Sequence, residues 1–286
     1  DHGRLLVLAN GVYGTRMARI AERAGLDFRI QDSGECRPPD LARLDLLLHA
    51  DPAITHVAVV HCETTTGMLN PVEAIGTIVR RHRRVFIVDA MSSFGGIPLD
   101  AAAVGADYLI SSANKCIQGV PGFSFVVARQ AELEKTRGRA HSLSLDLYDQ
   151  WHTMERRAGK WRFTSPTHVV RAFAQALDEL VQEGGVAARH RRYCENHRVL
   201  VEGLTALEVT PLLPAALQSP VITAFQSPSA PDYDFRRFYE LLKQRGFVIY
   251  PGQATAHDTF RIGHIGDVHP QDMRRLVDCI AESKFW

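Results

Sequence analysis

Asp89 and Lys115 are the two residues whose types and setting invite chemistry. Each follows a short apolar run, Val85 to Val88 and Tyr108 to Ile110, and such runs read as buried strands. Asp89 closes the first run; Ser111, Ser112, Ala113 and Asn114 carry the second on into Lys115. If both strands belong to one parallel sheet, both side chains emerge at its carboxyl edge, where open α/β sheets bind ligands. A plain salt bridge at a strand end would use the same two residues. So would pyridoxal phosphate, which needs a lysine amine for its aldehyde and a carboxylate to keep its pyridine nitrogen protonated as an electron sink.

Two other stretches reach the same edge. His61-Cys-Glu-Thr-Thr-Thr-Gly67 follows a third apolar run. Its three hydroxyls at a strand-to-helix turn suit either a ligand's oxygens or the cap of the following helix. Tyr13 lies in the glycine-bracketed turn 11–14, where its ring suits stacking on a flat heteroaromatic ligand or ordinary packing.

The elements that must hold these residues alternate. Strands are expected at 4–10, 28–30, 54–60, 85–88, 108–110 and 123–127. Helices are expected at 15–25 (with Met17, Ile20 and Ala24 inward), 39–50, 70–82 and 99–104. That alternation predicts βαβ units, a mostly parallel sheet and an α/β fold. Beyond residue 128 the pattern turns helical, over 145–156, 167–183 (Val170, Phe173, Ala174, Leu177 and Leu180 inward) and 186–207. The basic run of the last, Arg189, Arg191, Arg192 and Arg198, reads as a solvated face. Strands at 221–225, 247–250 and 260–262 and helices at 235–244 and 270–282 make a smaller α+β part. Gly184-Gly185 marks the break, giving a large domain over 1–183 and a small one over 184–286.

Composition narrows the function classes. The chain has 286 residues, 45% of them apolar, and a net charge of +1, which points to a globular protein without a nucleic-acid or membrane surface. No apolar run nears the roughly 20 residues of a membrane span. Five scattered cysteines without C-x-x-C read as reduced thiols, hence a cytoplasmic location. The thirteen histidines show no zinc spacing and read mostly as surface residues, so no metal is expected.

Six segments together resemble the 2-aminoethylphosphonate–pyruvate transaminases, fold-type I, class V pyridoxal phosphate enzymes. They are Asn10-Gly-Val-Tyr-Gly14, residues 61–71, residues 88–98, Ser111-Ser-Ala-Asn-Lys-Cys-Ile-Gln-Gly-Val-Pro-Gly-Phe123, residues 160–168 and Phe260-Arg-Ile-Gly263 with Ile265-Gly266. The run 111–123 is the most specific, and the likeness spans the whole chain. It implies that Lys115 binds the cofactor and is catalytic, with Asn114 beside it, that Asp89 meets the ring nitrogen and that Tyr13 stacks on the ring. It implies Thr64 near the ring oxygen, and Thr164 at the cofactor phosphate of the neighbouring subunit, hence a homodimer with shared sites. It implies that Arg261 holds the acidic end of the substrates, 2-aminoethylphosphonate and pyruvate. A sister class V enzyme of the alanine–glyoxylate or serine–pyruvate type shares much of this pattern, and a truncated, non-catalytic homologue would share it too. The resemblance also implies a Ser-Gly-Thr phosphate loop upstream of Tyr13. The chain opens just before that turn, so the sequence reads as N-terminally incomplete, and weak cofactor retention by these residues alone is expected.

Overall fold

A computed structural model describes residues 3–254 and 256–286. Its larger sheet runs β2-β1-β3-β6-β7-β8, built from β1 (Arg4–Ala9), β2 (Phe28–Asp32), β3 (Ile54–Val60), β6 (Val85–Asp89), β7 (Tyr108–Ser112) and β8 (Ser124–Ala128). The first five are mutually parallel and β8 closes the edge antiparallel. Strands covered on both faces carry nearly continuous apolar runs, and Leu6, Val7 and Leu8 of β1 and Val57 to Val60 of β3 are buried accordingly. Between β3 and β6 a short hairpin, β4 (Cys62–Glu63) with β5 (Met68–Leu69), interrupts the expected strand-to-helix turn.

Helices α2 (Leu41–Ala50) and α3 (Val72–Arg81) pack Leu44, Leu48, Ile75 and Val79 against Leu6, Val57, Phe86 and Val88. Asp40 caps α2 by accepting the Arg43 N–H at 3.0 Å, as an extended aspartate before a helix does. Further on come α4 (Ala101–Val104), a short α5 (Gln130–Glu134) that the sequence pattern does not announce, α6 (Leu147–Arg156), α7 (Thr167–Gln182) and α8 (Gly185–Ala206). The last part is a three-stranded antiparallel sheet, β10 (Tyr250–Pro251), β11 (Thr259–Gly263) and β9 (Ile222–Gln226), with α9 (Phe235–Gln244) and α10 (Pro270–Ser283). Its core joins Phe225, Phe238, Phe260, Met273 and Leu276 to Leu200 and Leu204 of α8. The same α8 sends Tyr193 into a cluster with Cys62, Ile97 and Cys116 below the large sheet's edge, so one helix serves both halves.

Several expectations need correction. Helix α1 (Val12–Arg23) starts three residues early, because the turn 11–14 is itself the helix's first turn. Its buried face is Gly14, Ala18 and Ala21; Ile20 is 61% exposed and Ala24 is exposed. Small residues are required there, since a Cβ on Gly14 would stand 2.8 Å from the Ala9 Cα. In α7 the inward positions are Phe173, Ala176 and Leu180, while Ala174 and Leu177 face out. The strand expected at 247–250 shortens and shifts to Tyr250–Pro251, paired with Arg261 and Phe260 of β11.

The basic run of α8 is not uniformly solvated. Arg189 is 2% exposed and the Arg192 side chain only 11%. Both are turned inward toward backbone carbonyls and Glu183, which stabilise a buried guanidinium. Of the histidines, His61 and His264 are buried, tied to Ser93 and Thr223 respectively.

Candidate active site

Parallel order puts the carboxyl ends of β1, β3, β6 and β7 side by side, and the strand order reverses between β1 and β3. Such a reversal opens a crevice between the loops that leave the two strands. A cavity of about 520 Å³ lies there, walled by Tyr13, Thr64, Ser92, Lys115, Gln253 and Arg261, together with apolar side chains of the C-terminal part.

Lys115 is presented by a braced turn. Its neighbours Ala113, Cys116 and Ile117 are buried, whereas Lys115 itself is exposed to the cavity. The Gln118 N–H donates to the Lys115 carbonyl and the Gly119 N–H to the Ala113 carbonyl, both at 2.8 Å. Gln118 takes φ 66°, a left-handed conformation rare outside glycine. Its side chain is fixed by Tyr193 Oη at 2.7 Å and the Gly266 carbonyl at 2.9 Å, the kind of support that holds a strained residue in place. Asn114, half-buried, occupies the same turn.

Asp89 ends β6, aligned with Ile110 of β7. It is half-buried and does not itself wall the cavity, although Ser92, three residues on, does. Its Oδ1 accepts the Met91 N–H at 2.9 Å. Burial pushes this carboxyl above its ordinary range; the Met91 amide and the Arg16 guanidinium pull against that shift but do not cancel it. Arg16 also lies 4.8 Å from the Tyr13 ring centroid.

Arg261, on β11, is almost wholly buried and is held at three points. Its Nη1 donates to the Thr64 carbonyl at 2.9 Å and to Gln253 Oε1 at 3.2 Å, and its Nε to the Pro251 carbonyl at 3.1 Å. Burial lowers its pKa, which leaves a cation that an incoming anion would help to solvate.

The three threonines after β3 part company. Thr64 faces the cavity; Thr65 Oγ1 donates to Glu63 Oε1 at 2.5 Å and accepts the Val12 N–H at 3.0 Å; Thr66 is buried with no partner for its hydroxyl among the described residues. The sequence reading overlooked Glu63. This fully buried carboxylate also accepts the N–H groups of Tyr13 at 3.1 Å and Gly14 at 3.2 Å, closing the first turn of α1. Burial raises its pKa while those hydrogen bonds lower it. Ser92 and Gln253 carry no signal of their own in the sequence, although Ser92 lies within the segment 88–98. Thr164 is not brought to this cavity; it lines a separate, shallower hollow with Lys160, Trp161 and Phe163.

The donor set fits a flat, cationic nitrogen heterocycle carrying an aldehyde. A carboxyl held up by burial returns to its ordinary range when a cation faces it. An aromatic ring, a hydroxyl and a primary amine open onto the crevice beside it.

Residues 6–269 match the family model described as Aminotransferase class-V. The chain is 64% identical over 281 residues to the 2-aminoethylphosphonate–pyruvate transaminase of Syntrophobacter fumaroxidans, covering 98% of this chain and 76% of that one. It is 58% identical over 284 residues to the enzyme of the same name from Vibrio vulnificus, covering 99% and 77%. Among solved structures, the pyridoxamine–pyruvate aminotransferase of Mesorhizobium loti superposes with a TM-score of 0.90 at 26% identity, covering 99% of this chain and 73% of that one.

Proposed function

We propose, from the premise that this chain belongs to the class-V aminotransferase family, that it transfers the amino group of 2-aminoethylphosphonate to pyruvate. The products are phosphonoacetaldehyde and L-alanine. The observation that carries this reading is the single cavity shared by Lys115 and Arg261. A primary amine for proton transfer and a buried guanidinium for an oxyanion are the two functions an amino-phosphonate and a keto acid both require.

Pyridoxal phosphate, when bound, supplies the aldehyde that takes up the amine and the ring that accepts the electron pair. Asp89 would hold the ring nitrogen in its protonated form, Tyr13 would cover one face of the ring, and Thr64 and Asn114 would contact its polar rim. Lys115 Nζ takes the proton from the amine-bearing carbon of the donor and returns one when the acceptor is aminated. Arg261, fixed by the Thr64 and Pro251 carbonyls, binds phosphonate in one half-reaction and the pyruvate carboxylate in the other. Its bond to Gln253, a flexible and exposed side chain, is the one an arriving anion would replace.

Thr164 completes the site from a second copy of the chain, reaching the cofactor phosphate of the partner. Its distance from its own cavity and the exposed apolar side chains around it support a homodimer. All five cysteines are free thiols, ordinary for the reducing cytoplasm, where we place the protein. Among the described residues no helix is long and apolar enough to cross a membrane.

The test is alanine formation from pyruvate by the protein loaded with pyridoxal phosphate. We expect 2-aminoethylphosphonate to serve as donor and serine to fail. Borohydride treatment should add the cofactor's mass to the peptide that contains Lys115. Serine as the preferred donor would move the protein to a sister activity, and no alanine from any amine would overturn the enzyme reading.

A further inference from the structure

The roles given to Lys115 and Arg261 leave unused a charged cluster whose arginines are largely buried and whose carboxylate is half-buried. Glu183, at the end of α7, stands between two guanidinium groups of α8. Arg189 Nε donates to Glu183 Oε2 at 2.8 Å, and Arg192 donates to Oε1 from Nε at 2.8 Å and to Oε2 from Nη2 at 3.2 Å. Each arginine then reaches outward with its remaining arm. Arg189 Nη1 donates to the carbonyls of Cys116 at 2.9 Å and Ile117 at 3.2 Å, the two residues after Lys115. Arg192 Nη1 donates to the carbonyls of Gly266 at 2.8 Å and Val268 at 2.7 Å, in the segment that leaves the Arg261 strand.

The chain of contacts is continuous: the Lys115 turn, Arg189, Glu183, Arg192, then the segment after β11. Gln118 adds a direct link, since its amide donates to the Gly266 carbonyl. Left-handed Gly184 and Gly185, at φ 103° and 75°, turn the chain so that Glu183 faces back onto α8. Guanidinium is the group for this task. Its planar fork bonds a carboxylate and a carbonyl at once, which an ammonium cannot do at fixed orientation.

We propose that Glu183, Arg189 and Arg192 form a positioning bridge that sets the separation between Lys115 and Arg261, and so the length of amine donor that the site accepts. The inference rests on the roles proposed above for those two residues. None of the three bridge residues lines the cavity, so they act through the backbone they hold rather than on the substrate.

The variants Arg189→Lys and Arg192→Lys keep the charge and remove the fork. Hydrogen exchange on the cofactor-free protein gives a readout independent of activity. We expect the Gln118 and Gly119 amides in R189K to exchange about tenfold faster or more, with residues 85–89 of β6 unchanged. In the loaded enzyme, kcat should fall by roughly tenfold or more while KM for pyruvate moves little, because small misplacements of a proton-transfer group are costly. The preference for 2-aminoethylphosphonate over 3-aminopropylphosphonate should narrow in the same variants. If R189K fails to fold, R192K carries the prediction, with faster exchange expected at Gly266 and its neighbours. Folded variants with wild-type exchange, or with an unchanged preference between the two donors, would overturn the bridge. A wild-type protein inactive on 2-aminoethylphosphonate would count against the proposed function instead, and exchange alone would then decide the bridge.

Discussion

Arg261 is buried for almost all of its surface and tethered through two backbone carbonyls, so its position barely depends on the ligand. A charge-assisted bond contributes about 1.5–3 kcal/mol, so Arg261→Ala should raise KM by roughly 10- to 100-fold for both 2-aminoethylphosphonate and pyruvate. Steady-state kinetics with each substrate varied in turn will show it; unchanged values for both would remove Arg261 from the site. Asp89 makes a pH-dependent prediction. Burial raises its folded pKa above the ordinary 3.8, so the penalty of holding it charged is absent below that value and grows as pH rises through the folded pKa. In the cofactor-free protein Asp89→Asn should therefore raise Tm at pH values above the folded pKa, with the gain shrinking as pH falls toward 3.8, while transamination is lost. A Tm difference independent of pH would contradict this account of Asp89.

At the scale of elements, α1 is the instructive case. Its sequence offers no capping side chain at Gly11, and the structure records none there. The free amides of its first turn are met by Glu63 and Thr65, about fifty positions along the chain, at the hairpin after β3. Glu63→Ala would leave buried N–H groups without acceptors, and we expect a loss of about 1–3 kcal/mol in denaturant unfolding, partly offset by relief of a desolvated carboxylate. A stability unchanged within error would show that water replaces the carboxylate. The same element shows where periodicity misleads. Reading its apolar residues placed Ile20 inside, but the close approach of α1 to β1 admits only Gly14, Ala18 and Ala21. In α7, likewise, more apolar positions exist than the fold of one chain covers, and Leu177 and Val181 stay exposed.

On the whole-molecule scale, further apolar side chains are left uncovered. Leu145 and Phe163 are 78% and 55% exposed, and Arg162 ties their two stretches by donating to the Leu143 carbonyl and to Asp149. Thr164 sits in that surface. Large apolar side chains left in the open are typical of an interface. The double variant Leu145→Asp, Phe163→Asp should run as a monomer in light scattering and lose activity at the same time. An active monomer would refute the shared site.

The edge that carries the site follows from the chain's own pattern. Once β6 and β7 are parallel, Asp89 and the run into Lys115 leave from the same edge of the sheet, and the glycine pair at 184–185 favours the break between α7 and α8. Long-range packing settles which of three threonines turns to the cavity, where α1 begins, and that Arg189 is buried rather than solvated. The reason is common to all three. A buried donor or charge must be satisfied by whichever partners the fold brings near, and some of these lie far along the chain: Glu63 is 50 positions from Tyr13, and the Cys116 carbonyl 73 from Arg189. Period and propensity act over a few residues; the pairing of polar groups in the interior does not.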